Sequence, residues 1–357
     1  MKSTQELHDL GQSLWVDNIT RTMLDDGTLA GYIDELSITG LTSNPTIFDK
    51  AIGAGDAYDE QVAELRERGL GGEDLFFELA LADLRRAAQL FKPVNERTAG
   101  VDGRVSLEVS PLIADDDQAT IKQAAELYGR AESNTLIKIP GTISGRTAIE
   151  ETIFAGIPVN VTLLFSTEHY LGAADAYMRG IERRIEAGLN PDVASVASLF
   201  ISRWDAAVAE QVPDELVNRL GLAVGKRTYA AYRELLDSDR AMRLANAGAR
   251  PQRLLWASTG TKDPNAADTL YVEGLASPFT VNTMPEKALL AFADHGSVGD
   301  SLPADGGDAE QTIAAFADAG IDADALATRL QEEGKESFNA SWRQLLGTIA
   351  EQREAVA

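Results

Sequence analysis

The chain has 357 residues, 44% hydrophobic and 25% charged, which is ample material for a large globular core. It contains no cysteine, excluding disulfides, iron–sulfur clusters and thiolate zinc sites, and this suits a reducing cytoplasm. A formal charge of −24 makes nucleic acid and anionic membrane poor partners.

The predicted elements alternate. The N-terminus lacks an apolar signal core, and no run of about 18 apolar residues could span a membrane, so a soluble cytoplasmic protein is expected. Strands are predicted at 14–19, 38–43, 105–110, 135–140, 158–165, 193–200, 253–258 and 278–283. Between them, Ser43-Asn-Pro-Thr opens a helix with Pro45 in its first turn, and 73–91 and 116–131 carry helical periodicity. Further helices are expected at 145–155 (ended by Gly156), from Ser166 to Ala187, over 203–237 in two pieces because of Pro213, and after Pro285. Eight strand–helix units predict a closed (β/α)8 TIM barrel, because an open doubly wound sheet would be expected to carry an early GxGxxG turn and none is present. The reading is a single domain over 1–357, with a barrel core at about 10–295. Helices at 56–69 and 307–354 lie outside the repeat, and the Gly-rich linker 295–306 is expected to be a flexible connection to a C-terminal helical extension.

Lys138 stands in the middle of the strand Thr135-Leu-Ile-Lys-Ile-Pro140. An ammonium on a covered strand is costly unless it is paired or has lost its proton, and a desolvated amine is the form that attacks a carbonyl. Strand parity puts Leu136 and Lys138 on one face and Ile137 and Ile139 on the other. The same parity offers polar groups on neighbouring strands: Asp17; Thr42 and Asn44; Ser106, Glu108 and Ser110; Asn160 and Thr162; and Ser198. Val159, Val161 and Leu163 are expected to face outward. A hydrogen-bonded polar core layer would give the same pattern, but two carboxylates and a lysine in one layer favour a site, and most fall near the C-terminal ends of their strands. Asp17 and Glu108 are then the available acids, Asn44 and Asn160 candidates to fix hydroxyls, and Thr162 a candidate to hold a water. The histidines His8, His169 and His295 have no metal-ligand spacing, and no metal or cofactor is expected.

Three segments carry a family resemblance. Gly40-Leu-Thr-Ser-Asn-Pro-Thr-Ile-Phe48, Leu136-Ile-Lys-Ile-Pro140 and Asn160-Val-Thr-Leu-Leu-Phe-Ser166 resemble, in order, signatures of the transaldolases. The resemblance implies a Schiff-base lysine at Lys138, an acid/base role for Asp17, and Glu108 acting with Thr162 through a water. It implies substrate binding by Thr42, Asn44 and Asn160. It also implies transfer of a dihydroxyacetone unit from sedoheptulose 7-phosphate to glyceraldehyde 3-phosphate, giving erythrose 4-phosphate and fructose 6-phosphate, in the non-oxidative pentose phosphate pathway. Ser198-Leu-Phe-Ile-Ser-Arg203 resembles the family's Ser-Pro-Phe-Val-Gly-Arg, so Ser198 and Arg203 carry over to a phosphate site. After the seventh strand Ser258 carries over, but the usual arginine is missing. Ala257-Ser-Thr-Gly-Thr-Lys-Asp263 resembles instead a longer bacterial subgroup, with Lys262 as the replacement charge. A plain Schiff-base sugar-phosphate aldolase and a non-catalytic sugar-phosphate-binding barrel are the alternatives. Oligomeric state is left open between monomer and homodimer.

Overall fold

The computed structural model of the protein describes residues 2–355, with side chains through Gln352. Eight parallel strands close a barrel in chain order: β1 (Ser13–Asp17), β2 (Ile38–Thr42), β3 (Arg104–Glu108), β4 (Thr135–Pro140), β5 (Val159–Leu164), β6 (Ser195–Phe200), β7 (Arg253–Ala257) and β8 (Val281–Met284). Closure comes from β1 pairing with β8. Each predicted strand corresponds to one of these.

Alternation along the strands divides the apolar residues into two cores. Val16, Leu41, Leu107, Ile137, Ile139, Val159, Val161 and Trp256 pack outward against the helices. Trp15, Leu136, Val196, Leu255 and Val281 fill the barrel interior. Trp15 fits because β2 places Gly40 beside it, where a Cβ would lie 2.6 Å from the indole nitrogen. That nitrogen donates to Asp102 Oδ1 at 3.0 Å, so the buried ring leaves no polar atom stranded.

The ends of β2, β4 and β5 turn into helices through side-chain caps. Asn44 accepts from the Ile47 amide, Thr142 from the Gly145 amide and Ser166 from the His169 amide, at 3.0–3.1 Å. Three helix N-termini, with their partial positive charge, therefore face the C-terminal mouth of the barrel.

Some expectations are corrected. Leu163 does not face outward: it has φ +60°, the β5–β6 register slips beside it, and its side chain joins the inner cluster. Ser110 lies beyond the end of β3 and donates to Glu73 on the helix Gly72–Arg97. The 203–237 region agrees with expectation: it is helical in two pieces, Ser202–Val208 and Leu220–Leu236, with Pro213 and a 3-10 turn at Asp214–Leu216 between them. Helices at Ser3–Asp9, Arg21–Asp25, Thr28–Glu35, Asp239–Asn246 and Leu270–Gly274 were not expected. The 295–306 linker is pinned by Leu302, which is buried and donates its amide to the Ala276 carbonyl at 2.8 Å.

The 33-residue helix Ala323–Ala355 crosses the C-terminal end of the barrel. At one end Gln331 donates to the Leu163 carbonyl at 2.8 Å. Next, Lys335 pairs with Asp115 at 3.0 Å and Trp342 donates to Glu73 at 2.8 Å. Farther along, Thr348 donates to Asp49 at 2.7 Å and Gln352 to the Ile52 carbonyl at 3.0 Å. Between these anchors it lies over the mouth.

Candidate active site

Parallel pairing sets the key residues side by side. Glu108 on β3 is in register with Lys138 on β4, Lys138 with Asn160 on β5, and Pro140 with Thr162. Lys138 is 5% exposed; its Nζ lies 3.1 Å from Glu108 Oε2 and donates to the Ser43 carbonyl at 3.3 Å. The lysine is therefore buried and paired, and it also lines an open cavity of about 340 Å³. Burial pushes the Glu108 carboxyl above the ordinary glutamate range; the Lys138 charge opposes that shift and the Asp17 charge adds to it. Apart from the Lys138 ion pair, neither Glu108 oxygen accepts a hydrogen bond, and Thr162 Oγ1 has no partner among the described residues, so both side chains retain capacity to hold a water.

Asp17, at the end of β1, lines the same cavity. Burial raises its carboxyl too, opposed first by the Lys138 charge and then by hydrogen bonds from Thr42 and Asn44. Thr42 donates to Asp17 Oδ1 at 2.7 Å and contacts the Thr283 hydroxyl at 2.7 Å. A hydroxyl has one proton, so Thr283 is the donor in the second contact, and a Thr283–Thr42–Asp17 relay runs across β8, β2 and β1. Asn44 spends its side-chain oxygen on the helix cap, leaving its amide for Asp17 and the cavity.

Two buried acids outside this site are fully engaged. Asp83 accepts from Arg21 at 2.9 Å and Tyr58 at 2.8 Å; Asp205 accepts from the Leu220 and Gly221 amides and from Tyr271. They hold helices and loops in place, whereas Asp17 and Glu108 surround an amine.

The structure gathers Lys138, Asp17, Thr162, Thr42, Asn44, Ser198, Arg203, Ser258 and Lys262 around the one cavity. Glu108 does not line it; together with Asn44 and Trp342 it lines a small neighbouring pocket. Asn160, fully buried, does not line it: it accepts from Ser198 at 2.7 Å and donates to Ser106 at 3.1 Å, tying β6 to β3 beneath the floor. Arg203 sits 5.6 Å above the Phe200 ring, and its burial lowers its pKa. Ser258, with φ +56°, shares a 2.9 Å hydroxyl contact with Ser202, which locks the ends of β6 and β7 together. Arg203 and Lys262 put two cations on this rim of a strongly acidic molecule.

Sequence reasoning missed Thr283, Lys50, Ser337 and Phe338, all of which line the cavity. Thr283 shares the inward parity of Val281 on β8, a signal present in the sequence. Ser337 and Phe338 come from the distant C-terminal helix, and no local pattern announces their destination. Among the described residues there is no cluster of metal-ligating side chains, and no helix is long and apolar enough to cross a membrane.

A family model described as transaldolase/fructose-6-phosphate aldolase matches residues 14–349. The chain is 43% identical over 356 residues to a Saccharopolyspora erythraea protein named transaldolase, covering 98% of this chain and 97% of that one. A Frankia alni transaldolase is 44% identical over 357 residues, covering 97% and 96%. One from Thermobifida fusca is 43% identical over 361 residues, covering 98% of both chains. A lysine, two carboxylates and a polar mouth at the C-terminal end of a closed barrel thus coincide with a match that runs the length of the chain, which belongs to the transaldolase/fructose-6-phosphate aldolase family.

Proposed function

We propose that the protein is a transaldolase, moving a dihydroxyacetone unit from sedoheptulose 7-phosphate to glyceraldehyde 3-phosphate to give erythrose 4-phosphate and fructose 6-phosphate. The observation that carries the mechanism is Lys138 Nζ, buried 3.1 Å from Glu108 yet lining the cavity that holds Asp17.

The neutral amine of Lys138 attacks C2 of the ketose phosphate, and the carbinolamine loses water to form an iminium. Glu108, with a water held by Thr162, carries protons for that step and for its reversal. Asp17 takes the proton of the C4 hydroxyl as the C3–C4 bond breaks, and the iminium accepts the electron pair as an enamine. The iminium is itself the electron sink, so the chemistry calls on no metal or cofactor. The first aldose phosphate leaves, the enamine carbon attacks the aldehyde of the second, Asp17 returns the proton, and hydrolysis frees the product. Thr42 orients Asp17, and Asn44 meets substrate hydroxyls from the cavity wall. Asn160 acts from below by fixing Ser198. Arg203, Ser258 and Lys262 receive the phosphate, Arg203 as a planar fork and Lys262 as a point charge. The reaction would serve the non-oxidative pentose phosphate pathway in the cytoplasm.

The test is to incubate the protein with fructose 6-phosphate, reduce with borohydride, digest, and map the adduct by mass spectrometry. A three-carbon adduct on Lys138 is expected; a folded protein with intact substrate and no adduct would remove the covalent mechanism. The family also includes aldolases that release the three-carbon unit. Slow release without an acceptor aldose, and fast turnover with one, marks a transaldolase.

A further inference from the structure

Phe338 belongs to the helix Ala323–Ala355, yet its ring centre lies 5.5 Å from Lys138 Nζ. It meets Phe200 at 6.4 Å and 61°, and Phe200 meets Phe165 at 5.2 Å and 35°. All three rings are buried, with Phe338 9% exposed and the others less. They make an apolar wall at the ends of β5 and β6, across the barrel from the polar wall of Asp17 and Thr42 on β1 and β2. The helix reaches this depth because Gly334 packs on Leu163 and Phe165, where a Cβ would lie 3.1 Å from Leu163 Cδ2. Gln331 fixes the same turn to the Leu163 carbonyl.

We propose that Phe338 keeps bulk water from the three-carbon intermediate on Lys138, and so sets the partition between transfer to an acceptor and release of free dihydroxyacetone. The proposal rests on the Schiff-base reading above. After C–C cleavage the enamine has two fates. In transfer, its nucleophilic carbon bonds to the acceptor aldehyde. In the leak, that carbon takes a proton, water adds at C2 of the resulting iminium, and the C–N bond breaks to give dihydroxyacetone and the free lysine amine. The leak consumes one water and involves no oxidant or reductant. Only the leak needs solvent beside Nζ before an acceptor arrives, so a ring over that nitrogen suppresses it selectively. The ring face also favours the cationic iminium.

The experiment compares full-length protein with Phe338→Ala, Phe338→Gln and Phe338→Leu, each checked by thermal melting. Free dihydroxyacetone from fructose 6-phosphate alone is measured against transfer to erythrose 4-phosphate, with the Lys138 adduct mapped in parallel. Phe338→Ala is expected to raise the leak-to-transfer ratio by about tenfold or more. Phe338→Gln, of similar size but polar, raises it too and serves if the alanine variant does not fold. Phe338→Leu, which restores apolar cover, stays within about threefold of the parent. An unchanged ratio in folded Phe338→Ala or Phe338→Gln that still forms the adduct overturns the proposal, as does a leucine variant that leaks like the alanine one. A parent protein without the Lys138 adduct overturns the Schiff-base reading itself, and this proposal with it.

Discussion

Trp342 fastens the C-terminal helix over the mouth, and its removal has a calculable cost. The indole is 1% exposed and sits 4.9 Å from Phe76 at 80° and 5.7 Å from Phe77 at 49°. Its nitrogen donates to Glu73 at 2.8 Å, an oxygen that also accepts from Ser110 at 2.8 Å. Truncating a buried tryptophan to alanine costs about 3–5 kcal/mol, a sum that already includes aromatic contacts of about 0.5–1.5 kcal/mol each. Phe would keep most of the packing and lose the hydrogen bond, for about 1–2 kcal/mol. In urea titrations Trp342→Ala should therefore lose about two to three times as much stability as Trp342→Phe. Amide exchange should speed first along the helix Ala323–Ala355, because undocking it leaves the barrel strands paired. If Trp342→Ala stayed within about 0.5 kcal/mol of the parent, with helix protection unchanged, the aromatic anchor would not be what holds the helix down.

Lys138→Ala should abolish turnover and the borohydride adduct while circular dichroism shows an intact barrel; substantial residual turnover would refute the covalent route. For Asp17, a folded-state pKa raised by burial means the unfolded chain releases its proton first, so the stability tied to this group is full at low pH and falls as pH rises through the raised value. Asp17→Asn should then be more stable than the parent at neutral pH, with the gap closing on acidification, as read by urea titration at several pH values. Arg203→Ala should raise KM for phosphorylated aldoses by about tenfold to a hundredfold. Lys262→Ala should raise it less, and both penalties should vanish with unphosphorylated glyceraldehyde; equal penalties on the two acceptors would take these cations out of the phosphate site.

The barrel was legible because buried parallel strands are short apolar β-branched runs, and Val159-Asn-Val-Thr-Leu-Leu164 is unmistakable in those terms. The grouping of Asp17, Glu108 and Lys138 was legible for a related reason. Side-chain parity is fixed along each strand, and the register that pairs Glu108 with Lys138 needs no irregularity. Parity failed at Leu163, where a left-handed residue breaks the alternation, and nothing in a leucine advertises that conformation. It also failed at Ser110, where the strand has already ended. Short helices such as Asp239–Asn246 lack the length for a periodic signal, although Ser238 caps that one as its type suggests. Phe338 was illegible for the deeper reason that docking, rather than periodicity, decides which face of a long helix meets the active site.

The charge pattern explains why a fold would tolerate such a site. Burial penalises both Asp17 and Glu108, and in each case the largest compensation is the Lys138 cation. In the proposed mechanism Lys138 must become a neutral amine to attack, which withdraws that compensation just as burial favours a protonated neighbour. Glu108 lies 3.1 Å away, and burial raises its carboxyl, so it is placed to receive that proton in the proposed mechanism. Condensation with the ketose then restores a fixed positive charge at the same nitrogen, this time as an iminium. The cation again lowers the cost of ionised Asp17, so that carboxylate is ready as a base when the C4 proton must leave. In the proposed mechanism one nitrogen would thus switch the two acids in sequence, Glu108 while the Schiff base forms and Asp17 while the C–C bond breaks. In that mechanism the aromatic wall, by keeping bulk solvent out, would preserve the charge coupling among the three groups.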